Sequence, residues 1–137
     1  IAKQAADLHS NYVSQRILYQ FLLDNDLDAH IAGITAVYRR QRELMVAMLE
    51  ECFPPEVSFT LPEGGMFLWV RLPESVSSMD LFNEAVKANV VFVPGHPFYV
   101  DGSGQNTLRL NFSNTDEAHI ETGMTRLAQA LKKLYGV

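Results

Sequence analysis

The residues with the clearest chemical potential lie near the end of the chain, in the segment from Thr107 to Phe112. Polar and apolar side chains alternate along it. In a β-strand this alternation places Thr107, Arg109 and Asn111 on one face and the apolar residues on the other. The planar guanidinium group of an arginine on a rigid strand can bind a carboxylate through two parallel hydrogen bonds. Arg109 is therefore a candidate carboxylate-binding residue, although the pattern also fits a solvated arginine on an edge strand.

The segment from Phe92 to Tyr99 places two prolines and a glycine where a predicted strand ends. Strand ends in layered α/β folds often border a ligand crevice, but an ordinary turn has the same composition. His96, between the prolines, could act as a base. No serine or cysteine nucleophile stands in a recognisable setting near it, and Cys52 falls on the apolar face of a predicted helix. A hydrolase triad therefore has little support.

Other reactive groups are dispersed. The histidines are far apart and lack carboxylates at metal-ligand spacing, which argues against a zinc site. The segment Gly102–Gly104 lacks the third glycine of a dinucleotide-binding loop and fits a hairpin loop. The acidic pairs at Glu50 and Asp116 fit a helix end and a first helical turn. No lysine is placed as a desolvated amine, since all lie on polar helix sides: Lys3, Lys87, Lys132 and Lys133. We therefore expect no metal-binding residue within the chain.

Helical periodicity dominates the first part of the chain. Apolar residues at spacings of one, three and four predict a helix from Asn11 to Leu23. A second, long amphipathic helix should end near Phe53, because Pro54 and Pro55 cannot continue it, and packing on a sheet explains its apolar face best. Later, Ser77 is a predicted N-cap of a short helix with inward-facing Leu81, Phe82, Ala85 and Val86. Asn114 is the predicted cap of the last helix, whose inward side chains are Ile120, Met124, Leu127, Leu131 and Leu134.

The strands lie between these helices. The run from Met66 to Leu72 is apolar on both faces until Arg71, which is typical of a central strand. The segments Val57–Thr60, Val90–Val93 and Thr107–Phe112 are the other predicted strands. This order predicts an α/β fold, an α+β two-layer sandwich in which helices cover a small mixed sheet that is mostly antiparallel. The length of 137 residues predicts one domain, residues 1–137, with a single hydrophobic core.

Composition excludes several classes of protein. Hydrophobic residues make up 47% of the chain and charged residues 20%, which is typical of a globular domain rather than a disordered or coiled-coil segment. A net charge of -5 argues against nucleic acid as a partner. The apolar runs are too short to span a membrane, and the start of the chain lacks the layout of a signal peptide. A single cysteine allows no internal disulfide and fits a cytoplasmic location.

Three runs of sequence carry a resemblance to a known family: Pro62–Pro73 with its Gly-Gly-Met-Phe-Leu-Trp, Asn89–Tyr99 with its Val-Pro-Gly-His-Pro-Phe-Tyr, and Asn106–Ser113 with its Leu-Arg-Leu. Together they resemble the C-terminal part of fold-type I pyridoxal-phosphate aminotransferases. The opening Ala2–Ser10 and Gln15-Arg16 are similar to the branch of 2-aminoadipate and aromatic aminotransferases.

The resemblance implies that residues 1–137 are the small C-terminal domain of a longer protein that transfers an amino group from an amino acid to a 2-oxo acid. It implies that Arg109 binds the substrate α-carboxylate, that pyridoxal 5'-phosphate is the cofactor of the whole protein, and that this protein is a homodimer. Met66 and Phe67 match the family's Gly-Met-Phe and by resemblance support the strand beside Arg109, although core packing is the preferred interpretation for them. The lysine that reacts with the cofactor, and the groups that hold it, are expected upstream, so the chain alone should hold no cofactor and be inactive.

Two other interpretations remain open at this stage. One is the effector-sensing domain of an aminotransferase-like transcription regulator, in which the same arginine would hold a ligand without turnover. The other is a stand-alone binding or dimerisation module. An upstream DNA-binding domain would favour the regulator, whereas a start codon at Ile1 would favour the module.

Overall fold

The computed structural model describes residues 2–136, which divide in sequence between Val37 and Tyr38 into two compact units. The first unit contains helix α1 (Ala2–Ala6), helix α2 (Tyr12–Asp24) and the start of helix α3 (Leu27–Cys52). None of the side chains in residues 2–37 is buried. The packed core therefore lies within the second unit.

Helix α2 confirms the helix predicted from Asn11 to Leu23. The Asn11 side chain accepts a hydrogen bond from the Ser14 backbone N–H at 3.1 Å, the geometry of an N-cap. The apolar side chains that define its periodicity are exposed: Tyr12, Val13, Ile17, Leu18, Phe21 and Leu22.

Helix α3 is the long amphipathic helix that the spacing predicts, and it ends at Cys52, just before the proline pair. After Tyr38, one side of the helix packs on the core through Met45 and Leu49, which are buried. Gln41 on the same side is also buried, and its side-chain amide donates to the backbone carbonyl of Thr115. Packing on a sheet is thus confirmed for the part of α3 that lies in the second unit.

The sheet is antiparallel throughout rather than mixed, with the spatial order β1-β2-β4-β3. Its strands are β1 (Ser58–Phe59), β2 (Phe67–Arg71), β3 (Val93–Pro94) and β4 (Thr107–Asn111). The prediction of a central strand near Met66–Leu72 is confirmed, because β2 lies between β1 and β4. The last predicted strand, β4, is also interior, since β2 and β3 flank it.

The predicted strand from Val90 to Val93 is too long, because only its last residue belongs to β3. The helix before it ends in a tight C-terminal motif in which Asn89 has a positive φ of 58°. In this motif the Val90 N–H donates to the carbonyl of Ala85 at 2.9 Å. Because this N–H is bonded within the helix end, it cannot pair with a strand, and the chain joins the sheet only at Val93.

Two further helices, α4 (Ser78–Lys87) and α5 (Glu117–Tyr135), complete the second unit. One face of the sheet supplies the buried residues Leu68, Val70, Leu108 and Leu110, with Phe112 just after β4. The helices contribute the buried residues Leu81, Ala85, Ile120, Met124, Leu127 and Leu131 to the same core cluster. Val86, predicted to face inward, is 45% exposed. The predicted two-layer α/β sandwich is confirmed.

The two predicted helix caps differ in outcome. Ser77 caps α4, where its hydroxyl accepts a hydrogen bond from the Asp80 backbone N–H at 3.3 Å. Asn114 does not cap α5, because Asp116 does so, accepting from the His119 backbone N–H at 2.9 Å. The negative charge of the Asp116 carboxylate also interacts favourably with the positive end of the helix dipole, an interaction that a neutral asparagine side chain lacks. The hydrogen bonds from the His119 backbone and then its ring lower the pKa of Asp116.

Strands β3 and β4 approach each other closely at Gly95, the residue after β3. A Cβ atom at this position would lie 2.0 Å from the Thr107 hydroxyl oxygen and 2.9 Å from its backbone carbonyl carbon. The Gly95 N–H donates to the Thr107 carbonyl at 2.7 Å, which extends the pairing of the two strands. Only glycine fits this contact without moving one strand.

We expect Asp116→Ala to lower the melting temperature of the chain, because the substitution removes the N-cap of α5. Asn114→Ala is the matched control and should leave it unchanged. A carboxyl group with a lowered folded-state pKa stabilises the fold above its ordinary pKa and loses that effect as the pH falls. The difference between wild type and Asp116→Ala, measured by thermal unfolding, should therefore shrink below about pH 4. A larger loss in Asn114→Ala would contradict this assignment.

Gly95→Ala should destabilise the fold by about 1–3 kcal/mol, the usual cost of forcing atoms into a packed site. Gly123→Ala in α5 is the control, because a Cβ there meets no heavy atom within 4 Å and alanine favours the helix. Denaturant unfolding should show a loss of stability for the first variant and none for the second. Equal stabilities would refute the close approach of β3 and β4.

Candidate functional site

Arg109 lies in the middle of β4, opposite Trp69 of β2 on one side and Val93 of β3 on the other. Its strand is interior, so the alternative of an arginine on an edge strand does not hold. Directly opposed residues share a face of the sheet. Arg109 and Trp69 therefore lie on the face opposite the buried core, as the alternation in β4 predicts. Thr107 lies on this face too, but it is buried, because β3 and the following turn cover it.

Two phenylalanine rings flank the Arg109 guanidinium group. Its central carbon lies 4.1 Å from the ring centroid of Phe67 and 5.1 Å from that of Phe98. Phe67 is the diagonal neighbour of Arg109 across the β2–β4 pair, within reach of a long side chain. Phe98 comes from a short 3-10 turn, His96–Phe98, that follows β3. The faces of an aromatic ring attract a cation, so both rings hold the side chain of Arg109.

A second group of aromatic residues supports this arrangement. The Trp69 ring packs edge-on against Phe98, with ring centroids 5.6 Å apart, and its centroid lies 6.2 Å from that of Tyr99. The Tyr99 ring in turn covers Gly104, where a Cβ atom would lie 2.3 Å from it. Gly104 also has a φ of +73°, which favours glycine. The 3-10 turn and the Gly-rich loop after it are thus tied to the same sheet face as Arg109.

Arg109 and Arg42 are the two half-buried arginines among residues 2–136. Arg42 donates to the Pro62 carbonyl at 2.9 Å and lies 3.6 Å from a Glu43 carboxylate oxygen. Arg109, by contrast, has neither an ion pair nor a side-chain hydrogen bond within the described part of the chain. A half-buried cation normally has a polar partner. The edge of the Arg109 guanidinium therefore retains donors for an acceptor that residues 2–136 do not supply.

A cavity of about 340 Å³ lies beside Arg109 and Phe67. Its walls are largely apolar and come from Val90–Val93 and α5, and its polar lining groups are Arg109, Asn111, Thr115 and His119.

The structure corrects the interpretation of Met66 and Phe67 as core residues. Met66 is 41% exposed, and Phe67 contacts Arg109 on the face away from the core. Phe98 was not a candidate, because no local pattern links its turn to β4. The spacing of Phe67 and Trp69 in a strand puts their side chains on one face, but their proximity to Arg109 depends on the register of β2 and β4.

The other reactive side chains considered in the sequence analysis do not come together in one site. His96 begins the 3-10 turn, and its buried Nδ1 atom has no partner within residues 2–136. Cys52 packs against the core at the end of α3. Lys87 and Lys133 both bind the Glu84 carboxylate, and these two hydrogen bonds lower the pKa of Glu84. The described residues contain no cluster of three potential metal ligands, and no helix among them could cross a membrane.

The Gly-rich loop carries one acid with a shifted pKa. The Asp101 carboxyl accepts hydrogen bonds from the hydroxyl and the backbone N–H of Ser103, and they lower its pKa. The loop connects the neighbouring strands β3 and β4, as the prediction of a hairpin loop requires. These bonds stabilise the turn and leave Asp101 exposed.

The family model for aminotransferases of class I and II matches residues 1–127. The chain is 41% identical over 133 residues to the 2-aminoadipate transaminase of Thermus thermophilus, a match that covers 97% of this chain and 33% of that protein. It is also 41% identical to the aromatic-amino-acid aminotransferase 1 of Thermococcus litoralis, covering 97% of this chain and 32% of that protein. The chain thus spans about a third of the length of these relatives.

A more distant match is the HTH-type transcriptional regulator NorG of Staphylococcus aureus. It is 24% identical over 128 residues, which cover 93% of this chain and 28% of the regulator. The regulator interpretation therefore has a sequence relative, although a less similar one than the aminotransferases.

Solved structures agree with the sequence relatives. The alpha-aminoadipate aminotransferase of Thermus thermophilus, crystallised with N-(5'-phosphopyridoxyl)-L-leucine, superimposes with a TM-score of 0.88 at 41% identity. The superposition covers 98% of this chain and 34% of that one. Since the family model covers nearly the whole chain and the fold matches as well, this chain belongs to the class I and II aminotransferase family.

Proposed function

We propose that residues 1–137 form the small C-terminal domain of a pyridoxal-phosphate-dependent aminotransferase and that Arg109 binds the α-carboxylate of its substrates. The whole protein transfers an amino group from an amino acid to a 2-oxo acid. The observation that carries the proposal is the half-buried Arg109 guanidinium, held by two aromatic rings and without a polar partner in residues 2–136. The family membership of the chain supports the class of reaction.

A carboxylate is the group that both partners of this reaction share. The amino acid and the 2-oxo acid differ at Cα, where one carries an amino group and the other a carbonyl oxygen, but the adjacent carboxylate is the same. A planar guanidinium binds a carboxylate in a bidentate and directional manner. Arg109 would therefore hold either substrate in one orientation and fix the position of Cα, an effect that can lower the barrier by several kcal/mol.

The described residues do not fit the cofactor itself. Pyridoxal phosphate needs an amine for its aldehyde, a partner for its pyridine nitrogen and donors for its phosphate. Lys87 and Lys133 are paired with Glu84, and the other two lysines, Lys3 and Lys132, are exposed on helices. The role that we assign to this chain is substrate binding, and the groups that hold the cofactor are expected in the remainder of the protein. We expect that protein to be a cytoplasmic homodimer.

Arg109→Ala in the full-length protein should lower kcat/KM roughly a hundred-fold, because it removes a charge-assisted bidentate partner of the substrate. This factor corresponds to a loss of about 3 kcal/mol in transition-state stabilisation. The loss should affect the amino acid and the 2-oxo acid alike, since both use the same carboxylate. Steady-state kinetics in the two half-reactions would measure it. Arg40→Ala is the control, because Arg40 forms only an exposed ion pair with Glu117 at 3.3 Å. Unchanged kinetics in Arg109→Ala would remove the proposed role.

The second candidate function is an effector-sensing domain of a transcription regulator, which the match to NorG favours. In that case Arg109 would bind an acidic effector without turnover. The full-length protein distinguishes the two functions. An aminotransferase should consume an amino acid and a 2-oxo acid in stoichiometric amounts, whereas a regulator should bind operator DNA in an effector-dependent manner and transfer no amino group.

A further inference from the structure

A guanidinium group can contact aromatic rings through its two faces and donate hydrogen bonds from its edge. The central carbon of the Arg109 guanidinium lies over both rings, 4.1 Å from the ring centroid of Phe67 and 5.1 Å from that of Phe98. The N–H donors point outward in the plane of the group. An aromatic ring over a face leaves these in-plane donors available, whereas a protein carboxylate would occupy them. The rings can thus fix Arg109 without competing with a ligand.

We infer that Phe67 and Phe98, named here the aromatic clamp, are positioning residues that hold Arg109 ready for the carboxylate of the substrate. This inference rests on the proposed role of Arg109 in binding a carboxylate. The clamp restricts the long arginine side chain before the ligand arrives, so less conformational entropy is lost when the ligand binds. Because a phenyl ring carries no conventional hydrogen-bond acceptor, the clamp leaves the N–H donors of Arg109 available to an acid.

The two rings of the clamp differ in how they are held. Phe67 belongs to β2 and is fixed by the sheet, directly in register with Asn111. Phe98 lies in the 3-10 turn, is 52% exposed, and rests edge-on against Trp69. Trp69 is itself directly opposite Arg109 on the neighbouring strand. The position of Phe98 therefore depends on the turn, and the turn depends on Trp69, Tyr99 and Gly104.

The exposure of Phe98 argues against a purely structural role. Large aromatic side chains contribute most to stability when they are buried, but half of the Phe98 surface lies open. Leucine at this position should therefore be tolerated by the fold. What leucine cannot replace is the attraction between the ring face and the cation.

The test uses Phe98→Leu and Phe67→Leu in the full-length protein. Phe98→Leu should raise the KM of the amino acid and of the 2-oxo acid by roughly 3-fold to 10-fold, with little change in kcat. Phe98→Tyr should restore the wild-type values, because tyrosine keeps the ring face. Phe67→Leu should have an equal or larger effect, since its ring lies closer to the guanidinium. Phe82→Leu is the control, because Phe82 is a partly buried aromatic residue that packs on Phe92 instead.

A binding measurement provides a readout independent of turnover. The dissociation constant of 3-phenylpropionate, an acid without an amino group, should rise by the same factor in Phe98→Leu and remain unchanged in Phe82→Leu. Melting temperatures will identify any variant that fails to fold. Phe67→Leu and Phe98→Leu each remove one ring, so the clamp can still be tested if one of them does not fold. Wild-type constants in both leucine variants, or a loss that tyrosine does not restore, would overturn the clamp while Arg109→Ala remains impaired. A normal Arg109→Ala enzyme would instead overturn the proposed function.

Discussion

The pairing of β2 with β4 is the constraint on which the rest of the second unit depends. Five residue pairs join the two strands, from Phe67 with Asn111 to Arg71 with Thr107. Because side chains alternate between the faces, a slip of one residue would turn the core residues of one strand toward the site and its site residues toward the core. The same register therefore places Leu68 and Leu110 in the core and Trp69 beside Arg109.

The close contacts around the sheet protect this register and extend it to the turn after β3. Gly95 lets β3 approach the Thr107 backbone, and Gly104 lets the Tyr99 ring lie against the loop. Both glycines lack the Cβ atom that would separate these segments. As a result a connection of more than ten residues, which carries Phe98, is positioned by the strand that carries Arg109.

Much of this fold could be predicted from local sequence, and the exceptions have identifiable physical causes. The alternation in β4 identified the faces of Arg109 and Leu110, the proline pair ended α3, and Ser77 capped α4. The length of β3 could not be predicted, because it depends on the positive φ of Asn89 and on a hydrogen bond that the helix end takes from Val90. The cap of α5 was assigned to Asn114 because Glu117 follows three residues later, as in a capping box, whereas the helix begins at Glu117 itself and Asp116 caps it.

The site was predictable only in part, for a related reason. Arg109 stands out because a charged residue interrupts an alternating strand, which is a local pattern. Phe67 reads locally as a core residue, since its neighbours in β2 are apolar on both faces. Whether it contacts Arg109 depends on the cross-strand register, and the approach of Phe98 depends on the path of a turn. Both are tertiary features, and no spacing within one segment encodes them.

Arg109 differs from Glu84 and Arg42 in the kind of contact that holds its side chain. Glu84 accepts hydrogen bonds from two lysines, and Arg42 donates to Pro62, so their polar atoms are already engaged in the fold. A ligand would have to break such contacts before it could bind to these groups. Arg109 lies between two aromatic rings and makes no side-chain hydrogen bond within residues 2–136, so under the proposed function a carboxylate would displace water rather than a protein group. A cation held in this way remains both positioned and available, and that combination is what recognition of a small acid requires.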